Sequence, residues 1–138
     1  MAGLDELKSL HTALIDAGHG YEEAIKDGDK PDLRAIFERM RALHAKAHED
    51  VHRMLERAGK APDESGSFMS TVHETVIGVR AAIVGLDRGS LSSFASGEEH
   101  TVRKYDDAIA AVPAEADALR THKAALQAGI DEMKRVST

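Results

Sequence analysis

The chain contains no cysteine and no tryptophan among its 138 residues, and only three prolines. The absence of cysteine excludes disulfides, thiolate metal sites, iron–sulfur clusters and a cysteine nucleophile. Aromatic residues make up 4% of the chain, which argues against base-stacking platforms for single-stranded nucleic acid. The net charge is −6 and no dense stripe of lysine and arginine is present, so we expect no nucleic-acid partner.

The sequence also lacks a long apolar run. No stretch approaches the roughly 20 apolar residues that a membrane-spanning helix needs, and the residues after Met1 do not show the pattern of a signal peptide. We therefore expect a cytoplasmic protein that is not embedded in a membrane. With 42% apolar and 30% charged residues, the chain is typical of a folded protein, and its length predicts one domain over residues 1–138.

Turn signals divide the chain into five predicted helices. Apolar residues recur at intervals of three and four, and alternating patterns are missing, which favours helices over strands. Pro31 and Pro113 stand where a first-turn proline belongs, and Gly59 is a natural helix stop. The predicted helices cover about Leu4–Lys26, Asp32–Ala58, Phe68–Leu86, Leu91–Ala111, and Pro113 almost to the C-terminus.

Each predicted helix has one apolar face, and the faces can be buried together only if the helices pack as a bundle. The third helix, at about 1.5 Å per residue, is roughly 28 Å long and nearly spans such a bundle. It can therefore carry the chain from one end back to the other. We predict an all-α, ferritin-like four-helix bundle with up-down-down-up order and an extra crossover helix between bundle helices two and three.

Several short motifs resemble those of one protein family. They are Gly20-Tyr21, Gly66-Ser67, His73, and Gly97-Glu98 followed by Tyr105. With these motifs, essentially the whole chain resembles the bacterial domain-of-unknown-function 2383 family, whose members are described as ferritin-like four-helix bundles. The resemblance implies that fold and a bacterial cytoplasmic setting, and it implies no activity. The chain departs from the family pattern at Gly129, near which the resemblance leads us to expect a histidine.

Polar side chains interrupt the apolar stripe of each long helix, and the eight histidines of the chain are conspicuous. His11, His44, Glu98 and His122 are in register with the core of the first, second, fourth and fifth predicted helices. A hairpin of the first two helices places His11 level with His48. Imidazole and carboxylate groups from several helices are the ligands with which bundles bind iron, manganese or zinc.

Five side chains are candidate metal ligands, and two tyrosines are candidate hydrogen-bond partners of those ligands: His11, His44, His48, Glu98, His122, Tyr21 and Tyr105. No Glu-x-x-His pair falls on the stripes, so the standard dinuclear oxygen-activating site is not predicted. The best three-ligand set is His44 and His48 with His11 opposite, which suits zinc with one open position. His52 is expected to be more exposed than His44 and incidental.

A metal-free interpretation explains the same residues. Glu98 then accepts a hydrogen bond from Tyr21 or Tyr105, and this buried polar layer fixes the register of the helices. His11 and His122 bond each other, a backbone group or water. No phosphate loop or nucleophile elbow is present, so the sequence gives no positive sign of an enzyme.

We favour a non-enzymatic structural, stress-related or interaction protein. The partner that we consider is a second copy of the same chain, in a homo-oligomer. The alternative is a metal-binding bundle with a His/Glu site for iron, manganese or zinc in its core. The sequence does not choose the metal.

Overall fold

A computed structural model describes residues 4–27, 31–59 and 90–137. The regular structure in these ranges is α1 (Leu4–Asp27), α2 (Pro31–Arg57), α3 (Ser90–Ala111), a 3-10 turn (Pro113–Glu115) and α4 (Ala116–Ser137). The predicted all-α class is therefore confirmed for the described part of the chain. The predicted crossover helix, with His73, lies outside the described residues. None of the described helices is both long enough and apolar enough to cross a membrane.

The helix ends follow the predicted turn residues. α2 begins at Pro31, where the missing N–H of proline costs no helical hydrogen bond. After α2, Gly59 has a φ of 81°, and its N–H donates to the carbonyl of Glu56 at 3.0 Å, a left-handed C-terminal cap. Pro113 opens a 3-10 turn before α4, because the residue before a proline, Val112, is driven out of the helical conformation.

Charged pairs between helices establish their directions. On one side of α4, Arg39 of α2 pairs with Glu132, and Arg57 at the end of α2 pairs with Glu115 in the 3-10 turn that leads into α4. On the other side, Asp106 and Glu99 of α3 pair with Lys123 and Lys134 of α4. In both interfaces one residue number rises as the other falls, so α4 is antiparallel to α2 and to α3. Since α1 forms a hairpin with α2, α1 and α4 run in one direction and α2 and α3 in the other. Gly59 and the start of α3 consequently lie at opposite ends of the bundle.

The core lies between the four helices and changes in character along their length. At one end the rings of Tyr21, Phe37 and Phe94 pack together, with centroids 4.9–6.1 Å apart. Fully buried aliphatic side chains fill much of the rest: Leu7, Leu10, Leu14, Leu55, Leu91, Leu119, Leu126 and Ile130. Each contributes about 1.5–3 kcal/mol on burial. An exposed ion pair contributes only about 0–1 kcal/mol, so the apolar core stabilises the bundle.

Gly129 marks a close approach between α4 and α2. A Cβ atom at this position would lie 2.5 Å from Sδ of Met40. The histidine that the family resemblance leads us to expect near this point would therefore meet the Met40 side chain. An apolar thioether occupies the space that such a ligand would need, next to the helical turn that holds His44.

Candidate functional site

The polar side chains predicted to face the core lie in three groups. They are His44 with Glu98, His122 with Asp50, and His11 with His48 and His52. His44 and Glu98 meet each other, whereas His11, His48 and His122 contact other partners. The five predicted ligands are thus distributed between two buried or half-buried acid–histidine pairs and one histidine cluster.

His44 and Glu98 form a buried pair between α2 and α3. The Nε2 atom of His44 lies 2.7 Å from Oε2 of Glu98, and the two side chains are 0% and 4% exposed. On the other side of the ring, Nδ1–H donates to the carbonyl of Met40 at 2.7 Å. A carbonyl can only accept, so Nδ1 carries a proton, and a second proton is shared between Nε2 and the carboxylate. Both ring nitrogens of His44 are therefore engaged within the protein.

Tyr21 completes the surroundings of this pair from α1. Burial, then the charge of Glu98 and a hydrogen bond with its carboxylate, raise the pKa of Tyr21 well above its ordinary value of 10.0. The hydroxyl therefore stays protonated, and it lies between the Glu98 carboxylate and Sδ of Met133, to which it donates at 4.0 Å. The ring of Tyr21 lies 5.2 Å from that of His44, centroid to centroid. Three helices thus contribute to one hydrogen-bonded unit in the core.

The pKa of His44 reflects two opposing effects. Burial lowers it, but the charge of Glu98 and the hydrogen bonds with Glu98 and the Met40 carbonyl outweigh burial, so the pKa of His44 is raised above its ordinary value of 6.5. The folded state thus binds this proton more tightly than the unfolded state. The stability that results is complete below the unfolded pKa and is lost as the pH rises through the folded pKa.

We therefore expect the free energy of unfolding of metal-free protein to fall as the pH rises above about 6.5 through the raised pKa of His44. Urea unfolding across a pH series measures this decline. It should be shallower in Glu98→Gln, which lacks the carboxylate charge, and unchanged in His100→Gln, which alters an exposed histidine. A wild-type profile no steeper than that of Glu98→Gln would contradict the assignment.

His122 belongs to a second acid–histidine pair, between α4 and α2. Its Nε2 atom lies 2.9 Å from Oδ2 of Asp50, and the side chains are 12% and 26% exposed. The ring of Tyr105 stands edge-on to that of His122 with centroids 6.1 Å apart. Burial, then the charges of Glu98 and Asp50, raise the pKa of Tyr105. This pair joins helices on the side of the bundle away from α1.

The third group is a cluster of three histidines where α1 faces α2, defined by His11, His48 and His52. Among the described residues, these are the set of three metal-competent side chains whose ligand atoms all lie within 4.8 Å of one another. The ring centroids of His11 and His48 are 4.5 Å apart, which confirms that the two residues are level. His11 is buried and the other two are half-buried.

One distance within the histidine cluster equals the separation of two nitrogens bound to the same metal ion. The Nε2 atom of His11 lies 3.4 Å from Nδ1 of His52. Two nitrogens bound tetrahedrally at about 2.0–2.1 Å to one zinc ion lie roughly 3.3–3.4 Å apart. His48 offers a third nitrogen, since the ligand atoms of the three residues lie within 4.8 Å of one another. The cluster can thus supply three of four tetrahedral ligands.

Glu56 lies beside the histidine cluster, one turn beyond His52 on α2. Its Oε1 atom is 3.8 Å from Nε2 of His52, while Nδ1 of the same ring faces His11. If Nδ1 binds a metal, Nε2 keeps the proton and interacts with the carboxylate. A carboxylate in this position orients a ligating histidine and increases its basicity.

The predicted three-ligand set contained His44, whereas the histidine cluster contains His52 in its place. The rotation of successive residues around α2 explains this difference. A step of four residues advances by about 40° around a helix of 3.6 residues per turn. His44 therefore points to the core, and each further step turns toward α1 and solvent. His52 is more exposed than His44, as predicted, at 29% against 0%. It nevertheless contacts His11, a contact that its exposure alone did not predict.

Sequence reasoning missed Asp50, His52 and Glu56 as participants. Asp50 and Glu56 lie outside the apolar stripe of α2, so a search confined to stripe positions passes over them. The sequence signal that indicates His52 and Glu56 is the recurrence of polar residues at every fourth position of α2, from His44 through His48 and His52 to Glu56. Repetition at this interval puts polar groups along one side of a helix.

The described residues thus define an all-helical bundle with a histidine cluster on one helix pair and an acid–histidine pair in its core. The chain belongs to the family Domain of unknown function (DUF2383), whose sequence model matches residues 3–111. That range includes the whole histidine cluster and ends with α3, so His122 and Gly129 lie beyond it. No curated protein and no solved structure matches the chain.

Proposed function

We propose that this chain is a ferritin-like bundle of the bacterial cytoplasm that binds one divalent transition-metal ion through His11, His48 and His52. The observation that carries the proposal is the convergence of these three imidazoles, with ligand atoms within 4.8 Å of one another. The cluster also lies within the residues that match the family.

The ferritin-like order is supported by the helix directions. α1 and α4 run one way and α2 and α3 the other, and the end of α2 is at the opposite end of the bundle from the start of α3. An up-down-down-up bundle with a crossover connection has this arrangement. The bacterial cytoplasmic setting comes from the family resemblance.

The donor set selects among metals. Neutral imidazoles suit zinc, copper, iron and nickel, whereas magnesium, calcium and manganese prefer oxygen ligands. Of iron, manganese and zinc, the metals expected from the sequence, zinc fits three nitrogen ligands in tetrahedral geometry best. We therefore propose zinc as the ion, held without redox chemistry, with one coordination position left to a ligand from outside the cluster.

A structural role for the core is the second function we propose. The ring nitrogens of His44 contact Glu98 and the Met40 carbonyl at 2.7 Å each. Because His44 and Glu98 are in contact across the core, the pair fixes the positions of α2 and α3 relative to each other without an ion. This role is compatible with a non-enzymatic structural or interaction protein. Self-association and the absence of a nucleic-acid partner stay predictions from the sequence.

Zinc titration of metal-free, untagged protein tests the metal site. We expect one equivalent to bind, with competition against a chromophoric chelator giving the affinity. His11→Ala, His48→Ala and His52→Ala should each weaken binding by more than the roughly 10–100-fold that loss of an outer-shell partner costs. His100→Ala, an exposed histidine of α3, is the matched control and should bind as the wild type does.

Glu98→Gln distinguishes the histidine cluster from a site in the core. Its zinc affinity should equal that of the wild type, because Glu98 contacts His44 and is no member of the cluster. A large loss of affinity in Glu98→Gln would move the ion to the core. Wild-type protein that retains less than a tenth of an equivalent of zinc would refute metal binding altogether.

A further inference from the structure

We infer that a groove between α1 and α2, beginning at His48, admits a small anion that completes the coordination of the metal at the histidine cluster. The inference rests on the proposed metal site and adds to it a ligand class and a route. The groove and the cluster share His48, and both lie where α1 faces α2.

The groove runs along α1 away from the cluster. His48 and Leu14 line one end, and Gly18 and Arg41 line it further on. Leu14 is fully buried and lies one helical turn from His11. The groove has a volume of about 170 Å³, and a water molecule occupies about 30 Å³ of the liquid. The space therefore accommodates a few waters or one small ion.

Charge favours an anion in this position. Three neutral imidazoles leave a divalent ion with its full charge of two, and the ion is then the largest local charge. A negatively charged fourth ligand reduces that excess. Arg41 adds a permanent positive charge at the groove. The carboxylate of Glu22 also lies at the groove, and its Oε2 atom is 3.4 Å from Nδ1 of His19. A proton on His19 offsets part of the negative charge of Glu22.

The glycine at position 18 keeps the groove open. A Cβ atom there would meet no other atom within 4 Å, although α1 is continuous through this position. A larger side chain would consequently extend into the groove without displacing its neighbours. Gly97 on α3 offers the same open surroundings away from the groove. The two glycines form a matched pair of sites for substitution.

Cobalt-loaded protein tests the inference, because the visible spectrum of tetrahedral cobalt responds to its fourth ligand. Azide and formate are the probes. We expect each to shift the spectrum with saturation. Gly18→Leu should weaken azide binding by at least about tenfold, a free-energy change of about 1.4 kcal/mol. Gly97→Leu should leave it unchanged. Arg41→Gln should weaken it a few-fold, and Arg34→Gln, at an exposed arginine of α2, should have no effect.

The outcomes separate this inference from the proposed metal site. Zinc and cobalt affinities of Gly18→Leu should equal those of the wild type, which shows that the variant is folded and retains the cluster. If cobalt binds and neither anion shifts the spectrum, the inference is overturned and the metal site stands. Equal azide binding by Gly18→Leu and Gly97→Leu would overturn the groove as the route. Failure to bind cobalt or zinc at all would overturn both proposals.

Discussion

Replacing Glu98 by alanine is expected to lower the free energy of unfolding by about 3–5 kcal/mol, the cost of removing one member of a buried charge pair. The carboxylate is the partner of His44 Nε2 at 2.7 Å, and both side chains are almost completely enclosed. Alanine leaves that nitrogen without its partner in a space too apolar to solvate it, whereas the Tyr21 hydroxyl retains Sδ of Met133. Urea unfolding of metal-free protein measures the loss.

Neighbouring residues provide the controls for this loss. Glu99→Ala removes the next side chain of α3, an exposed glutamate that pairs with Lys134, and should cost at most about 1 kcal/mol. The double variant His44→Leu/Glu98→Leu replaces the pair by apolar groups, and should be more stable than Glu98→Ala because it leaves no buried imidazole nitrogen without its partner. Equal losses for Glu98→Ala and Glu99→Ala would mean that the pair is solvated.

Helix ends were predictable because their signals are local. Pro31, Gly59 and Pro113 each act on the backbone of one or two residues, so α2 and the start of the α4 region fall close to their predicted positions. The recurrence of apolar residues at intervals of three and four likewise identified the buried face of each described helix. Both kinds of signal depend on distances of a few residues along the chain.

Pairings between helices were harder to predict. The stripe pattern placed His44 and Glu98 in the core separately, and their contact depends on the rotation and height of α2 relative to α3. An error of one turn moves a side chain by about 5.4 Å, more than the length of a hydrogen bond. The same uncertainty hid the contact of Asp50 with His122. Whether a buried histidine binds a metal or a carboxylate depends on such distances.

The histidine cluster was predicted in part for the same reason. Only a few residues separate α1 from α2, so counting residues back from this connection predicts that His11 and His48 lie at the same height in the hairpin. The choice between His44 and His52 as third member depends on the direction of each ring around α2. The contacts of the two rings decide between them. Glu98 holds His44 in the core, whereas His52 faces His11 and is therefore the third member.

Zinc is expected to stabilise the folded protein by about 2.7 kcal/mol when its free concentration is 100 times the dissociation constant. The reason is that the ligands come from two helices. His48 and His52 are one turn apart on α2, but His11 joins them only when α1 packs against α2. An unfolded chain therefore offers at most a weaker two-histidine site. Thermal unfolding with and without zinc, and after addition of a chelator, measures the gain.

The stabilisation by zinc should depend on whether a variant removes the ligand that α1 contributes. His11→Ala leaves the two histidines of α2 in place but removes the link between helices, so most of the zinc-dependent gain should disappear even where some zinc still binds. His100→Ala should retain the full gain, and magnesium should give none, because it prefers oxygen ligands. Equal stabilisation of the wild type and His11→Ala would place the ion on α2 alone. The contact of His11 with His48 and His52 would then be incidental, and the proposed three-histidine site would be wrong.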